Sequence, residues 1–278
     1  MKGLILKKNA DKFTVEIDKK PIIMSARNLK KDGIFVGDKV ECENGVIEKV
    51  LERKNLLIRP PLANVDTMII VIACLPKPDF LLVDKLLVFC VVKGIKPVLC
   101  INKSDLSESF VSDVKKIYSG VVEIVSVSTL DESVMKLKKY IKGITALAGQ
   151  SAVGKSSVIN ALLKKEVTQI GDFSKKVMRG KQTTRLVELY DLGKNNHLAD
   201  TAGFSKLSEE LLDVDEKELK SYYPDFVKYA HECKYKSCEH ITSADCGIIK
   251  RVKEGKINKT RYENYKILRE NIKNLKKF

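Results

Sequence analysis

The sequence predicts an α/β protein built on a parallel sheet, with a small β-barrel before the sheet and a helical segment after it. Residues 1–62 alternate short apolar runs with turn formers, which is typical of short strands. From about residue 65, continuous apolar runs alternate with helix-like stretches, as in strand–helix–strand units. From about Leu207, the chain becomes polar and helical. These observations predict three domains, 1–62, 63–206 and 207–278.

The first domain is predicted to be a barrel of the OB type, because five short strands with turns between them favour a Greek-key barrel. The strands are expected at Leu4–Lys8, Phe13–Ile17, Ile22–Ser25, Lys39–Cys42 and Val46–Val50. Lysines are frequent here, which suits an RNA-binding barrel. The alternative is an ordinary small β domain with a solvated, charged surface.

The middle domain is predicted to contain the parallel sheet. Strands are expected at Thr67–Ala73, Pro97–Ile101, Val121–Val125, Ile144–Ala148, Leu186–Leu192 and His197–Asp200. A helix is expected over Asp79–Lys93, between the first two strands. Ligand loops in open α/β sheets follow the carboxyl ends of strands, so candidate site residues are expected directly after these apolar runs.

The formal net charge of +15 favours a polyanionic partner such as nucleic acid, although charge alone also serves solubility. The lysine-rich segment Lys250–Lys277 is either an RNA-binding tail or a solvated helical face. The apolar run Met68–Leu75 is far shorter than the ~20 residues of a membrane span, and no signal-peptide pattern is present. We therefore expect a cytoplasmic protein with no membrane partner. Without heptads or exposed apolar stretches, we also expect a monomer.

An unbroken Walker A motif follows the strand Ile144–Ala148 and opens a helix predicted over Ser156–Leu163. Its glycines let backbone N–H groups wrap phosphates, and the helix N-terminus adds a favourable dipole. Lys155 is expected to reach the β- and γ-phosphates, and Ser156 is expected to bind Mg²⁺. The predicted nucleotide contacts are Gly149, Gln150, Ser151, Ala152, Val153, Gly154, Lys155, Ser156 and Ser157.

A second motif, Asn102-Lys103-Ser104-Asp105, distinguishes guanine from adenine. Asp105 can accept hydrogen bonds from the guanine N1–H and exocyclic amine, which adenine does not present in that form. Lys103 is expected over the base, and Asn102 is expected to tie the loop together. Such a short match also occurs in surface turns, but a Walker A motif in the same sheet favours a guanine site. Ser126–Ser128 is a weaker candidate that would support the base through backbone N–H groups.

Asp200-Thr201-Ala202-Gly203 ends another apolar strand, as the Asp-x-x-Gly element of GTPases does. Asp200 is expected to hold Mg²⁺ through water, and the Gly203 N–H to sense the γ-phosphate. Thr184 is expected to contact Mg²⁺ and the γ-phosphate, with Thr183 as the alternative. An ordinary GTPase has its phosphate motif first, whereas here the guanine motif comes first. The predicted fold is therefore a circularly permuted P-loop GTPase domain between the OB-type barrel and the helical C-terminal domain.

Three cysteines and one histidine are clustered as Cys233-x4-Cys238-x-His240-x5-Cys246. They make a four-ligand set suited to a tetrahedral structural Zn²⁺, and four protein ligands leave no open position for catalysis. The alternative is a set of reduced, unconnected cysteines. The other cysteines lie in apolar contexts and are predicted to be reduced core residues: Cys42, Cys74, Cys90 and Cys100.

Together these motifs resemble the ribosome biogenesis GTPase A family, circularly permuted GTPases that act on the bacterial small ribosomal subunit. The resemblance covers essentially the whole chain, and Arg59-Pro60 and Ala63-Asn64-Val65-Asp66 are also similar to phrases of that family. It implies GTP and GDP as ligands, with Mg²⁺ and one structural Zn²⁺. It also implies hydrolysis stimulated by the small subunit, contact with its rRNA, and a checking or release role late in assembly.

Two positions depart from the family's pattern. The family usually has Pro where Ala202 stands, a change that leaves the Asp-x-x-Gly element intact. It usually has His before the threonine pair, where this chain has Gln182, and apolar Phe204 stands where Ras-type GTPases keep a water-orienting Gln. Our hypothesis is that Gln182 positions the attacking water, with Lys155 and Thr184 as the other catalytic residues.

Two other functions stay open at this point. One is an RNA-binding scaffold that holds GTP with little turnover, which the apolar Phe204 favours. The other is a GTPase switch that acts on another RNA target, such as tRNA or the large ribosomal subunit, because a basic charge indicates a polyanion and no more.

Overall fold

The computed structural model describes residues 1–26, 33–170, 187–200, 214–242 and 244–275. These residues form two compact units. The first holds the described residues of 1–69, 129–148 and 154–204, and the second holds those of 70–128, 149–153 and 205–278. The three predicted domains divide the chain differently, and their boundaries remain a prediction.

Five strands of the first unit close into a barrel. They are β1 (Lys2–Asn9), β2 (Lys12–Ile17), β3 (Lys20–Ala26), β4 (Lys39–Glu43) and β5 (Val46–Val50). β1 pairs with β2 and β4, β2 with β3, β3 with β5, and β5 with β4, so the ring of pairings is complete. Apolar side chains fill its interior: Ile5, Phe13, Val15, Ile17, Met24, Ile34, Val40, Cys42 and Ile47. The OB-type barrel is confirmed.

The strands and helices that follow account for most of the remaining described chain. The strands are β6 (Leu56–Ile58), β7 (Pro61–Ala63), β8 (Val65–Ile72), β9 (Lys96–Ile101), β10 (Glu123–Ser126), β11 (Ile144–Ala148), β12 (Glu188–Asp191) and β13 (His197–Asp200). The helices are α1 (Phe80–Val92), α2 (Glu108–Tyr118), α3 (Lys155–Ile170), α4 (Pro224–Tyr229), α5 (Gly247–Lys253) and α6 (Lys259–Leu275). Every strand predicted for the middle domain is present, with boundaries that differ by up to two residues.

Within the first unit, the barrel joins the sheet through β1. β1 pairs antiparallel with β12 at Lys7 and Glu188, whose side chains form an ion pair of 3.0 Å. β12 pairs antiparallel with β13, and β13 pairs in parallel with β11. The buried His197 imidazole on β13 lies 3.0 Å from the Glu16 carboxylate on β2. Barrel and sheet therefore share one hydrogen-bonded ladder.

In the second unit, β9 and β10 pair in parallel, and the carboxyl end of β8 lies beside β9. The residue after β9, Asn102, donates its backbone N–H to the Ile72 carbonyl oxygen at 2.8 Å. Seven of the eight residues of β8 are buried, which is typical of a parallel strand covered on both faces. α1 follows Asp79, whose carboxylate caps the helix by accepting from the Leu82 N–H at 2.9 Å.

The C-terminal helices pack around an apolar cluster in the second unit. Its buried members include Leu219, Tyr223, Phe226, Ile248, Ile257, Tyr262, Tyr265, Leu268 and Ile272. The described part of the lysine-rich segment is therefore α5 and α6, two helices that each bury one face. Across the ranges that the structure describes, no helix combines the length and the apolar character that crossing a bilayer requires.

Asp38 anchors the loop before β4, and its buried carboxylate offers a test of the barrel's stability. It accepts from the Phe35 N–H at 2.8 Å and from Arg53 Nε and Nη2 at 2.6 and 2.9 Å. Asp38→Asn removes the charge and replaces an acceptor with a donor. We expect the free energy of unfolding to fall by about 2 kcal/mol, measured by urea unfolding with far-UV circular dichroism.

The matched control is Asp18→Asn, the same chemical change at an exposed turn of the same barrel. Its backbone φ of 48° suits asparagine, so the urea midpoint should stay close to that of the wild type. Equal midpoints for the two variants would contradict the role assigned to Asp38.

Candidate guanine-nucleotide site and metal centre

The loop after β9 carries the predicted guanine motif and is tied to two other loops. The Asn102 side chain is buried, and its amide donates to the Val153 carbonyl oxygen at 2.9 Å. Lys103 has a left-handed backbone with φ of 56°. Its Nζ donates to the carbonyl oxygens of Leu75 at 3.0 Å and Ala152 at 3.2 Å. Two backbone acceptors therefore fix the Lys103 ammonium group.

Asp105 lies in the short 3₁₀ turn Ser104–Leu106 and is exposed. The Ser104 N–H donates to the Val127 carbonyl oxygen at 3.1 Å, and the Val127 N–H donates to the Ile101 carbonyl oxygen at 2.8 Å. Val127 thus supports the turn through its carbonyl group, and the contact predicted between N–H groups of Ser126–Ser128 and the base stays a prediction. The Asp105 carboxylate is accessible to a ligand.

The Walker A loop leaves β11 at Gly149 and enters α3 at Lys155, one residue before the predicted start of that helix. Three residues of the loop have positive φ: Gly149 at 131°, Ala152 at 63° and Gly154 at 95°. A Cβ at Gly149 would lie 2.2 Å from the Val71 carbonyl oxygen, so only glycine fits there. The glycines at positions 149 and 154 therefore allow the backbone conformation in which a Walker A loop surrounds phosphates.

The guanine loop and the phosphate loop touch each other within the second unit. Asn102 and Lys103 contact Val153 and Ala152, although 51 and 49 residues separate the partners along the chain. The second polar atom of the Asn102 side chain, Oδ1, is buried and meets no hydrogen-bond partner in the described residues. Unpartnered buried acceptors are rare and costly, so this atom is a candidate acceptor for a ligand or a water molecule. Contact between these two loops is what a shared nucleotide requires.

In the first unit, the pKa values of two ionisable side chains are shifted in the direction that favours their neutral forms. Burial lowers the pKa of Lys155. Burial, and then the charge of Glu188, raises the pKa of Asp200. An anion beside Lys155 and a cation beside Asp200 would each restore the ionised form. Phosphate and Mg²⁺ are such partners, and the exposed Ser156 offers a further oxygen ligand of the kind that Mg²⁺ prefers.

The other predicted nucleotide contacts fall into two groups. In the phosphate motif, Ser151 and Ser157 are exposed and Gln150 is half-buried, so their accessibility is compatible with phosphate contact. The remaining candidates lie outside the described residues and stay predictions: Gln182, Thr183, Thr184, Ala202, Gly203 and Phe204.

The predicted metal ligands converge on one point in the second unit. Cys233, Cys238, His240 and Cys246 place one ligand atom each within 4.8 Å of one another. The sulfurs of Cys233 and Cys246 lie 3.5 and 3.4 Å from His240 Nδ1 and 4.0 Å from each other. A tetrahedral Zn²⁺ with Zn–S bonds of about 2.3 Å needs sulfurs separated by about 3.8 Å. The donor set and its spacing fit such an ion.

Neighbouring groups support this cluster. Lys220 Nζ donates to the Cys238 carbonyl oxygen at 2.8 Å, and the Tyr262 hydroxyl donates to the His240 carbonyl oxygen at 2.9 Å. Burial, and then the charge of Lys220, lowers the pKa of His240 to about 4, which keeps the imidazole neutral, the form that binds metal. Burial raises the pKa of the Cys246 thiol to about 12, so a cation is needed to hold its thiolate.

Sequence reasoning missed the carbonyl oxygens of Leu75 and Val127, which hold the guanine loop in place. Every residue carries a backbone carbonyl group, so residue type gives no sign of which ones will serve. It also missed Arg261, a fully buried cation of α6 that the sequence does not distinguish from its many basic neighbours.

The geometry defines the class of the protein. A guanine motif that contacts a Walker A loop, where the Walker A loop comes later in the chain, is the arrangement of a circularly permuted P-loop GTPase. Two solved structures agree. The crystal structure of YjeQ from Thermotoga maritima matches with a TM-score of 0.82 at 33% identity, over 98% of both chains. YloQ, a circularly permuted GTPase, matches with a TM-score of 0.79 at 30% identity, over 98% of this chain and 95% of its own.

Sequence comparison defines the family. The model of the family described as RsgA GTPase matches residues 50–210. The small ribosomal subunit biogenesis GTPase RsgA of Ruminiclostridium cellulolyticum is 38% identical over 251 residues, covering 88% of this chain and 80% of that protein. The protein of the same name from Caldanaerobacter subterraneus is 35% identical over 293 residues, covering 100% of this chain and 97% of that protein. This chain belongs to the RsgA GTPase family and is a GTP hydrolase.

The role of Asp105 can be tested by exchanging the base. Asp105→Asn keeps one acceptor for N1–H but presents a donor to the guanine amine, so we expect GDP affinity to fall by at least about 10-fold. Xanthine has a carbonyl group in place of that amine and suits asparagine, so affinity for xanthosine diphosphate should rise above that of the wild type. Isothermal titration calorimetry with both nucleotides measures the exchange.

The control for this experiment is Asp113→Asn, which changes an exposed carboxylate of α2 that pairs with Lys116 at 3.0 Å. It should leave both affinities unchanged, because an exposed pair of this kind contributes little. Wild-type GDP affinity in Asp105→Asn would remove Asp105 from the base-binding site.

Proposed function

We propose that this chain binds the small ribosomal subunit through its rRNA and hydrolyses GTP late in the maturation of that subunit. The relatives that align with this chain over most of their length are named small ribosomal subunit biogenesis GTPases. The net charge of +15 suits an RNA partner. The observation that carries the enzymatic part is the contact of Asn102 and Lys103 with the Walker A loop. Such a partner places the protein in the cytoplasm.

Phosphoryl transfer needs positioning and charge stabilisation more than a strong base. Asn102, Lys103 and Asp105 would hold the guanine end of GTP, and the backbone of residues 149–154 would hold its phosphates. Lys155 would neutralise charge that builds up on the β- and γ-phosphates. Mg²⁺, when bound, supplies further neutralisation, and its protein ligands would be Ser156, Thr184 and Asp200.

The attacking water needs a polar group to orient it, and the apolar Phe204 does not provide one. The assignment of this role to Gln182 rests on its place beside Thr183 and Thr184 in the sequence. A glutamine amide can accept from water and donate to a phosphate oxygen, which is the work required at this step.

Gln182→Ala tests both the role of Gln182 in hydrolysis and the proposed stimulation by the small subunit. With purified small subunits present, we expect single-turnover GTP hydrolysis to slow by about 100-fold, because one preorganised transition-state contact is lost. GDP affinity should stay unchanged, since no base or phosphate contact is removed. If the variant hydrolyses GTP as fast as the wild type with subunits present, Gln182 is not the water-positioning residue.

The same assay separates the two alternative functions. An RNA scaffold with little turnover, which Phe204 favours, predicts that wild-type protein co-sediments with small subunits without faster hydrolysis. A switch on another RNA predicts stimulation by tRNA or by large subunits instead. Stimulation by small subunits alone would support the function proposed above.

We also propose that the cluster of three cysteines and His240 holds one structural Zn²⁺. The fit of its spacing to tetrahedral coordination supports this, as does the absence of an open position among four protein ligands. The ion would join the loop of Cys233 and Cys238 to the N-terminus of α5, where Cys246 accepts from the Ile249 N–H at 3.5 Å.

Cys238→Ser should reduce bound zinc from one ion per chain toward zero, because a serine hydroxyl is a poor ligand beside two thiolates. We also expect a lower melting temperature, while saturating GDP should still bind one molecule per chain. Metal content by mass spectrometry and melting by calorimetry measure these effects. Cys74→Ser, a half-exposed cysteine outside the cluster, is the control. Full zinc content in Cys238→Ser would contradict the site.

A further inference from the structure

Arg261 on α6 is only 1% exposed, although arginine is almost never buried without partners. Its guanidinium group has two carboxylate partners. Nη1 donates to Asp84 on α1, while Nε and Nη2 donate to Asp225 on α4 at 2.8 and 2.7 Å. Asp84 is fully buried and also accepts from Asn264 Nδ2 at 2.6 Å. One cation therefore joins α1 to the C-terminal helices.

The same guanidinium group stacks on two aromatic rings. It lies 4.8 Å from the ring centroid of Tyr223 and 5.6 Å from that of Tyr118, the last residue of α2. The Tyr118 hydroxyl donates to the Phe80 carbonyl oxygen at 3.3 Å, at the first residue of α1. Arg261 is thus the point at which α1, α2 and the C-terminal helices meet, all within the second unit.

Both helices lead directly from the guanine site. α1 follows the loop that contains Leu75, whose carbonyl oxygen accepts from Lys103 Nζ at 3.0 Å. α2 follows the turn that contains Asp105. A change in the packing of α1 at Arg261 would therefore displace Lys103 through Leu75, and a change in the packing of α2 would displace Asp105. Lys103 and Asp105 are the two residues expected to contact the base.

We propose that Arg261 is a positioning residue for guanine recognition, which couples the C-terminal helices to the loop of Lys103 and Asp105. The proposal rests on the function proposed above for that loop. Coupling between two sites is reciprocal, so a partner that binds the C-terminal helices would change the affinity for guanine nucleotides, and GDP or GTP would change the affinity for that partner.

The chemistry at Arg261 makes the arrangement sensitive to substitution. Burial raises the pKa of Asp84 to about 7, and the charge of Arg261 opposes that rise. Lysine at position 261 would keep the charge but could not reach both carboxylates in the planar, forked geometry of a guanidinium group. Removal of one partner of a buried pair leaves the other uncompensated, so the helices would rearrange to satisfy it.

The test compares GDP with inosine diphosphate, which lacks the exocyclic amine that Asp105 is expected to bind. For Arg261→Lys we expect the Kd for GDP to rise about 10-fold and the Kd for inosine diphosphate by only about 2-fold, so discrimination between the bases shrinks. A purely structural role would lower the active fraction and leave the ratio of the two affinities unchanged. Calorimetry reports both the stoichiometry and the affinity.

Arg251→Lys is the matched control. Arg251 on α5 pairs with Glu232 at 2.6 Å and with Glu254 at 2.5 Å, and both of these acids lie in the C-terminal helices and their loops. It should leave the affinity ratio at the wild-type value. Asp225→Asn, which keeps the shape of an Arg261 partner, is the second variant if Arg261→Lys does not fold. It should reduce the ratio in the same direction by a smaller factor.

Two outcomes would overturn the proposal. The first is that folded Arg261→Lys or Asp225→Asn keeps the wild-type ratio of the affinities for GDP and inosine diphosphate. The second is that Arg251→Lys reduces that ratio by the same factor. Asp105→Asn in the same assay keeps this failure distinct from failure of the guanine site. If Asp105→Asn loses GDP affinity and the Arg261 variant keeps the wild-type ratio, the site stands and the coupling does not.

Discussion

Two carbonyl groups at the carboxyl end of β8 set the positions of both nucleotide loops. The Ile72 carbonyl oxygen accepts the Asn102 N–H at 2.8 Å. The Val71 carbonyl oxygen lies so close to Gly149 that a Cβ there would approach within 2.2 Å. The Asn102 side chain then closes the arrangement on Val153. Because each loop is placed by the same strand, contact between them does not depend on which loop the chain reaches first.

That independence explains how a permuted order is compatible with a nucleotide site. The C-terminal helices belong to the same compact unit as the guanine loop, and Arg261 joins them to α1. The metal cluster and the guanine loop are therefore parts of one packed structure, although residues 102 and 233 are far apart in sequence. A buried network of this kind stabilises only when all its members are satisfied, which makes its geometry specific.

The sequence predicted what depends on local residue types. The apolar runs of β8, β9 and β11, the glycines at positions 149 and 154, and the spacing of Cys233 to Cys246 each carry their own signal. The strand predicted at Val121–Val125 lies instead at Glu123–Ser126, because the N–H groups of residues 121 and 122 donate to the Tyr118 carbonyl oxygen and end α2. That competition depends on distances that a hydropathy pattern does not contain.

The same limit applies to charge. Net charge counts every cation alike, but a buried Arg261 holds helices together and cannot contact RNA. In α5 and α6, several basic side chains pair with the few acids present, as Arg251 does with Glu254 and Lys266 does with Glu263. The barrel, by contrast, exposes lysines such as Lys19 in the turn between β2 and β3 and Lys20 at the start of β3. A polyanionic partner can therefore meet exposed positive charge at the barrel, whereas part of the positive charge of the C-terminal helices is buried or paired.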